Sequence, residues 1–323
     1  MPELRFSIVI ACYNQEDFIR QAVESAVLQG HPSKEIIVVD DNSQDGTADI
    51  LNTFGESIIF ARLPANRGAA GARNHGASLA RGEYLVFLDG DDVLMPWALE
   101  VYGRLVTARR PKIILGRAVM FHGKTPEANT DVLPREIQFV EYANFFAKDR
   151  PYLYNSSTLV VDRSVLQSSG GWSPEIFYQD IQDLLNKLGV AGKTLLVLAP
   201  DTVWYRMHST NAVRKITPFI EGINVILAKA RNGVYPGGRE CWFERTAWFG
   251  GLIFYWMYTA LRNGLYRDGF NLLAAGWWMI LLAVIRRGTA WLVGRKPTEI
   301  LPLEHTPSPV RAFHNIAAAR RDV

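Results

Sequence analysis

Residues 83–92 read EYLVFLDGDD, an apolar run that stops on three carboxylates in four positions, Asp89, Asp91 and Asp92. The run has the length and composition of a buried strand. Carboxylates that close raise one another's pKa, so the cluster needs either open solvent or a neutralising partner. Oxygen ligands suit Mg2+ or Mn2+, which keep part of their water and bind phosphate oxygens. The plainer reading is a solvated turn with an Asp capping a helix that starts near Pro96. Its place at the carboxyl end of a strand favours a ligand site.

The same pattern recurs upstream. Phe6–Ala11 (FSIVIA) and Glu35–Asp40 (EIIVVD) read as core strands, Ser57–Arg62 as a third and Glu83–Leu88 as a fourth. Between them lie helix-compatible segments: Glu16–Leu28 with an apolar face, Ala48–Phe54, and the small-residue run Gly71–Ala80. Alternation of this kind predicts an α/β fold with a mostly parallel sheet flanked by helices. Ligands bind beyond the carboxyl ends of such strands. Those ends carry Tyr13-Asn14, Asp40-Asp41-Asn42-Ser43 and Asp89-Gly90-Asp91-Asp92. Asp40 and Asp41 suit a ribose or a pyrimidine imide, or else an Asx-turn and helix cap. The Gly-rich run Asn66–Asn74 carries Arg73, placed either to meet a phosphate or to lead into a tightly packed helix.

Further along, strands are expected at Ile113–Phe121, Thr158–Val161, Thr194–Leu198 and Val203–Arg206, with a helix over Gln179–Leu188. The net charge of +3 is too small to indicate nucleic acid, and Cys12 and Cys241 form neither a disulfide framework nor a zinc spacing. A reducing compartment follows. The first six residues lack the basic start and apolar run of a signal peptide.

Taken together, SIVIACYNQEDFIRQAVESAVLQ, EIIVVDDNSQDGT and NRGAAGARNHGASLARGEYLVFLDGDDVLMP resemble family 2 glycosyltransferases of the GT-A fold, collinearly over about the first 100 residues. The resemblance implies a nucleotide-sugar donor, UDP-linked by default, and a divalent cation. It places the Asp-x-Asp motif on Asp89-Gly90-Asp91, with Asp91 on the metal and Asp89 near ribose or metal. Ala11, Tyr13, Asp40 and Asp41 fall at the base, and Arg73 at the nucleotide. Gly170-Gly171-Trp172 matches the acceptor-side turn, where Trp172 either stacks on a sugar or fills the core. The acidic pair that follows is Gln179-Asp180 here, so Asp180 keeps the general-base position while the first carboxylate is absent. Asp183 is the alternative base. Tyr205-Arg206-Met207-His208 matches a Tyr-Arg-x-His ending whose histidine approaches metal or diphosphate. A nucleotidyltransferase would carry a Gly-rich basic signature where Ala11–Asn14 stand; a silent sugar-nucleotide scaffold would lack Asp91 or Asp180.

Beyond residue 215 the character changes. Six of nine tryptophans lie between Trp242 and Trp291, and the apolar stretches Thr246–Leu261 and Gly269–Ile285 run 16 and 17 residues. Spanning a bilayer takes about 20. From Arg262 to Lys296 six basic residues face one acid, Asp268. Such helices suit an anionic membrane surface, on the cytoplasmic side and beside a glycan or lipid-linked acceptor; packing on the catalytic domain is the other reading. The expected organisation is a catalytic domain over 1–215, an apolar helical region over 216–296, and an extended or mobile Pro-containing tail over 297–323.

Overall fold

A computed structural model describes residues 5–123, 134–149, 155–209, 211, 216–293 and 295–303. Its elements in chain order are β1 (Phe6–Cys12), α1 (Ile19–Val27), β2 (Lys34–Asp40), α2 (Thr47–Asn52), β3 (Ile59–Arg62), α3 (Gly68–Leu79), β4 (Tyr84–Asp89), β5 (Val93–Leu94) and α4 (Ala98–Arg109). They continue with β6 (Ile113–Leu115), β7 (Ala118–His122), β8 (Glu136–Tyr142), β9 (Leu159–Asp162), α5 (Arg163–Ser168), α6 (Asp180–Lys187), β10 (Thr194–Ala199) and β11 (Val203–Met207). Three long helices, α7 (Ile216–Arg231), α8 (Trp242–Arg262) and α9 (Tyr266–Val293), precede β12 (Glu299–Pro302).

Nine strands form one sheet in the order β12-β8-β10-β6-β9-β4-β1-β2-β3. All seven residues of β1 are buried, as expected of a central strand covered on both faces. The sheet is parallel from β4 through β1 and β2 to β3 and mixed beyond, where β9 runs antiparallel to both β4 and β6. Helix α1 buries Ile19, Ala22, Val23 and Ala26, the face its spacing predicts. On the other side, α3 comes down onto the sheet at Gly76, where a methyl group would overlap Val9.

The strand expected over Ile113–Phe121 is two strands in two sheets. The chain turns out at Gly116, whose hydrogen faces the Tyr102 and Thr202 hydroxyls where a Cβ would clash. Strand β7 then joins β11 and β5 in a small second sheet. Strand β8 escaped the sequence reading because EIQFVEY mixes polar and apolar residues without strict alternation. Of the expected tail, extended or mobile, the start is extended: Glu299–Pro302 pairs antiparallel with β8 and Leu303 is buried. The row Ile137 and Phe139 would otherwise lie at a sheet edge, and Pro302 is tolerated because β12 is itself an edge strand. Residues 304–323 lie outside the described residues.

Helices α8 and α9 form an antiparallel pair whose crossing depends on glycine. A Cβ on Gly250 would overlap the Met279 carbonyl, and one on Gly276 would overlap Ile253. Gly276 also carries the kink of α9, with φ −150° and ψ 21°. Gly250→Ala is therefore expected to cost about 1–3 kcal/mol, read as a lower midpoint in thermal or urea unfolding. Gly288, with open space around it, is the control: Gly288→Ala should hold or raise the midpoint.

Candidate active site

The site is built at the carboxyl ends of β1, β2 and β4. The loops leaving β1 and β2 are laced together: Asn14 N–H donates to Ser43 Oγ at 2.9 Å, Gln15 N–H to Thr47 Oγ1 at 2.8 Å, and Gly46 N–H to Glu16 Oε2 at 2.7 Å. Asn14 and Asn42 accept positive φ, 51° and 65°, a conformation asparagine tolerates better than most residues. Within this frame Asp40 and Asp41 part company. Asp40 is buried, takes the Ser43 amide at 3.0 Å and faces Arg62 Nε at 3.2 Å, so it holds the loop. Asp41 accepts the Arg67 amide at 2.7 Å through Oδ1, while its buried Oδ2 has no hydrogen bond. Burial pushes the Asp41 carboxyl up against the pull of the Arg67 and Gly68 amides. A buried acceptor left open in this way fits an N–H of a ligand. Ala11, in register with Val39 and Asp89, is buried one residue before the end of β1, and Tyr13 is exposed just past it.

The Asp89 cluster is divided three ways. Asp89 accepts Arg73 Nη2 at 2.6 Å and Ser156 Oγ at 2.5 Å. Gly90 packs on Cys12 and Gln15 so closely that a Cβ would clash with both. Asp91 meets His208 Nε2 at 2.9 Å, and the imidazole packs tilted against the Phe18 ring, centroids 4.8 Å apart. Asp92 is fully buried and accepts Ser157 Oγ at 2.6 Å and the Arg206 amide at 3.0 Å. Burial, then the Asp91 and Asp89 charges, push its carboxyl well up. Arg206 is held between the Phe18 and Phe121 rings and donates to the Asp91 carbonyl. The Tyr-Arg-x-His run is thus the second strand of the motif: it fixes the Asp91 turn and delivers His208.

Arg73 sits at the centre. It is buried, and its guanidinium spans Asp89 and Asp180, Nη1 reaching Asp180 Oδ2 at 2.5 Å. The two carboxylates outweigh desolvation and hold its pKa above the ordinary arginine value. Its flat face lies 4.6 Å over the Trp172 ring, which in turn meets Phe87 edge-on at 5.1 Å. Trp172 is only 1% exposed. Of the two readings of Trp172, sugar platform or core, the ring is core and carries Arg73 from below, so its placing on the acceptor side is corrected. Gly171, at φ 68°, makes the turn that lets Asn74 grip both the amide and the carbonyl of Trp172.

Asp180 opens α6 and accepts the Ile181 amide at 2.8 Å through Oδ1, leaving it at the wall of the cleft. Asp183, one turn on, is excluded as a base. It is fully buried and bound by Ser173 Oγ at 2.6 Å, Tyr235 hydroxyl at 2.7 Å, Lys229 at 2.9 Å and Lys187 at 3.4 Å. Gln179 is 1% exposed against Gly222 of α7, with its amide 3.4 Å from the Phe219 carbonyl. A carboxylate there would face that carbonyl without a donor, which accounts for the neutral residue. Ser156 and Ser157 were not foreseen. They lie in Asn155-Ser-Ser-Thr158, a capped turn brought beside Asp89 only by the β4–β9 pairing.

No three His, Cys, Asp or Glu side chains converge in metal-binding geometry among the described residues. Asp89 is turned to Arg73, leaving Asp91 and His208 as the paired donors. An imidazole and a carboxylate, both partly open, fit Mn2+ or Mg2+ that completes its shell with phosphate and water.

A large mixed α/β sheet, parallel over β4-β1-β2-β3, with an Asp-x-Asp turn at one strand end places the fold in the GT-A class of nucleotide-sugar transferases. The chain belongs to glycosyl transferase family 2. The family described as "Glycosyl transferase family 2" matches residues 7–167. Over 227 residues the chain is 48% identical to a UDP-Glc:alpha-D-GlcNAc-diphosphoundecaprenol beta-1,3-glucosyltransferase, WfaP, of Escherichia coli, covering 68% of this chain and 84% of the relative. A poly(ribitol-phosphate) beta-glucosyltransferase of Bacillus spizizenii is 32% identical over 48% of this chain, which spans only 26% of that relative. Among solved structures, TarS residues 1–349 of S. aureus with UDP-GlcNAc aligns with TM-score 0.57 and 18% identity over 71% of this chain and 67% of that one. The mannosyltransferase PcManGT of Pyrobaculum calidifontis with GDP-Man and Mn2+ aligns at 0.55 and 17% over 99% and 81%. Both likenesses are of fold.

Proposed function

We propose that this glycosyltransferase transfers a sugar from a UDP-linked donor to a hydroxyl of a lipid-linked saccharide diphosphate, with inversion, at the cytoplasmic face of a membrane. The observation that carries the reading is the single buried guanidinium of Arg73 between Asp89, on the donor side, and Asp180, on the acceptor side. In this arrangement the base enters the crevice of Asp41, whose open Oδ2 accepts the imide N–H. A divalent cation held by Asp91 and His208 would neutralise charge on the diphosphate. Arg73 adds a fixed positive charge next to the leaving group, the kind of preorganised electrostatics that contributes most to such reactions. The acceptor oxygen forms its bond to the anomeric carbon as the bond to the diphosphate breaks, and the hydroxyl proton passes to Asp180. One displacement inverts the centre.

The acceptor class draws on the E. coli relative, named for an alpha-D-GlcNAc-diphosphoundecaprenol acceptor, and on the C-terminal helices. Tyr258, Phe270, Trp277, Leu281 and Val284 of α8 and α9 are exposed. Among the described residues one helix, Tyr266–Thr289, is long and apolar enough to cross a membrane, with 22% of its most apolar window buried. Its C-terminal half is nonetheless fastened to the catalytic domain, since Arg286 donates to the carbonyls of Phe146 and Lys148. That tether favours a hairpin lying on the membrane over one that crosses it.

A panel of nucleotide sugars, titrated with Mn2+ or with EDTA, tests the donor side. Wild type is expected to bind one donor in a metal-dependent way, and Asp91→Ala to lose that binding by tenfold or more, about 1.4 kcal/mol. Equal binding in EDTA would remove the metal from the scheme.

A further inference from the structure

Asp180 faces a cavity of about 1250 Å³ whose lining also includes Asp89, Arg73 and Phe177. The Phe177 side chain is 60% exposed and meets no other ring among the described residues. Its neighbours in the chain do the reverse. Ile176 is 2% exposed and Tyr178 is half-buried, both packed into the core that α7 makes with α8 and α9. The Tyr178 ring lies 5.3 Å from that of Phe219, which stacks on Trp256 at 4.6 Å. Burial alone would choose the opposite arrangement, since phenylalanine ends in hydrocarbon and tyrosine in a hydroxyl.

The backbone enforces that choice. Tyr178 has φ 61°, and the Gln179 amide donates to the Phe177 carbonyl at 2.6 Å. This is a γ-turn with positive φ at a bulky residue, which persists only where the surroundings hold it. Gln179 is clamped on one flank, where a Cβ on Gly222 of α7 would overlap its side chain. On the other flank the Phe177 ring rests on Gly68, the first residue of α3, where a Cβ would come within 2.9 Å of it. Helix α3 carries Arg73 and the turn leads straight into Asp180, so the exposed ring is tied to both members of the bridge at the reaction centre.

We infer that Phe177 is the platform on which the acceptor's sugar ring lies while Asp180 takes its hydroxyl proton. This rests on the saccharide acceptor proposed above and adds the side chain that recognises it. A pyranose has an apolar face of C–H groups with hydroxyls projecting round its edge. A flat aromatic ring covers that face and leaves the hydroxyls free for polar partners. An exposed phenyl ring gains nothing from the fold, whereas covered by a sugar it is withdrawn from water. Trp172 cannot serve in this way, because it is closed beneath Arg73.

Two probes isolate the sugar: N-acetylglucosamine on a dodecyl diphosphate, and dodecyl diphosphate alone, both below their micellar concentrations. Binding to the full chain is measured by calorimetry, and thermal unfolding shows that each variant is folded. Wild type is expected to hold the sugar-bearing probe about tenfold more tightly than the sugarless one. Phe177→Ala and Phe177→Leu should each remove most of that difference, and Phe177→Tyr should keep it. Affinity for dodecyl diphosphate should be the same in all four chains. A difference that survives Phe177→Ala would overturn the platform and leave the acceptor reading standing. Leucine performing as well as tyrosine, or the sugarless probe weakening in step with the other, would mean that the ring meets a hydrocarbon chain instead. No sugar-dependent difference in wild type would remove the saccharide acceptor, and the platform with it.

Discussion

Asp180→Asn is expected to lower kcat for transfer by roughly 10²–10⁴-fold, the range a general base contributes, with donor affinity within a few-fold of wild type. Asparagine keeps the size of the side chain and one of the two oxygens, enough for either the Arg73 Nη1 or the Ile181 N–H bond that Asp180 accepts through Oδ2 and Oδ1. What it loses is the ability to take the acceptor's proton. Since Asp180 contributes nothing to the Asp41 crevice or to the Asp91–His208 pair, the donor side should be indifferent to the change. Steady-state transfer and donor binding, measured on the same preparation, check this. A kcat within tenfold of wild type would place the base elsewhere. A loss of donor binding equal to the loss of transfer would mean that Arg73, left with Asp89 as its only carboxylate partner, had moved.

The half of the site proposed to bind the donor was legible in the sequence because it is local. Asp41, Asp89 and Asp91 follow buried strands directly, and the strand period announces those strands. The acceptor half is assembled from residues far apart. Ser156 reaches Asp89 across 67 positions and has no signature in its own neighbourhood; Arg73 and Asp180 each stand in a motif of their own, but nothing local announces the bridge between them across 107 positions. Trp172 shows the limit from the other side. An aromatic after a glycine pair reads equally as a sugar platform or as core, and only the Arg73 guanidinium above it and Phe87 beneath it decide for core. Strand β12 was hidden because two prolines flank a stretch whose strand character depends entirely on the partner β8 supplies. The C-terminal helices were legible as apolar segments, whereas their fusion to the catalytic domain through Arg286 and Gln179 was not.

Asp183→Ala is expected to have the opposite character to Asp180→Asn, destabilising the chain while removing no group from the chemistry. Asp183 gathers four elements at one buried carboxylate: Ser173 after the glycine turn, Lys187 on α6, Lys229 on α7 and Tyr235 beyond it. Its removal leaves two ammonium groups at 14% and 17% side-chain exposure without their shared counter-charge, and a hydroxyl pair without an acceptor. Breaking a buried ion pair from one side typically costs about 3–5 kcal/mol, and a chain of this size then melts on the order of 10 °C lower. The pH dependence has a defined sign. Burial raises the Asp183 pKa, but the hydrogen bonds from Ser173, Tyr235 and Lys229 and the Lys187 charge outweigh it, and the net shift is downward. A carboxyl with a lowered folded-state pKa contributes stability that is present above its unfolded value of about 3.9 and lost as pH falls through the folded one. The gap between wild type and Asp183→Ala should therefore be full at neutral pH and narrow in acid. Thermal unfolding across pH 3–7 checks both the size and the slope. If the variant melts within 2 °C of wild type, the carboxylate is not what joins α6 to α7, and the position of Asp180 must be set by the Arg73 bridge alone.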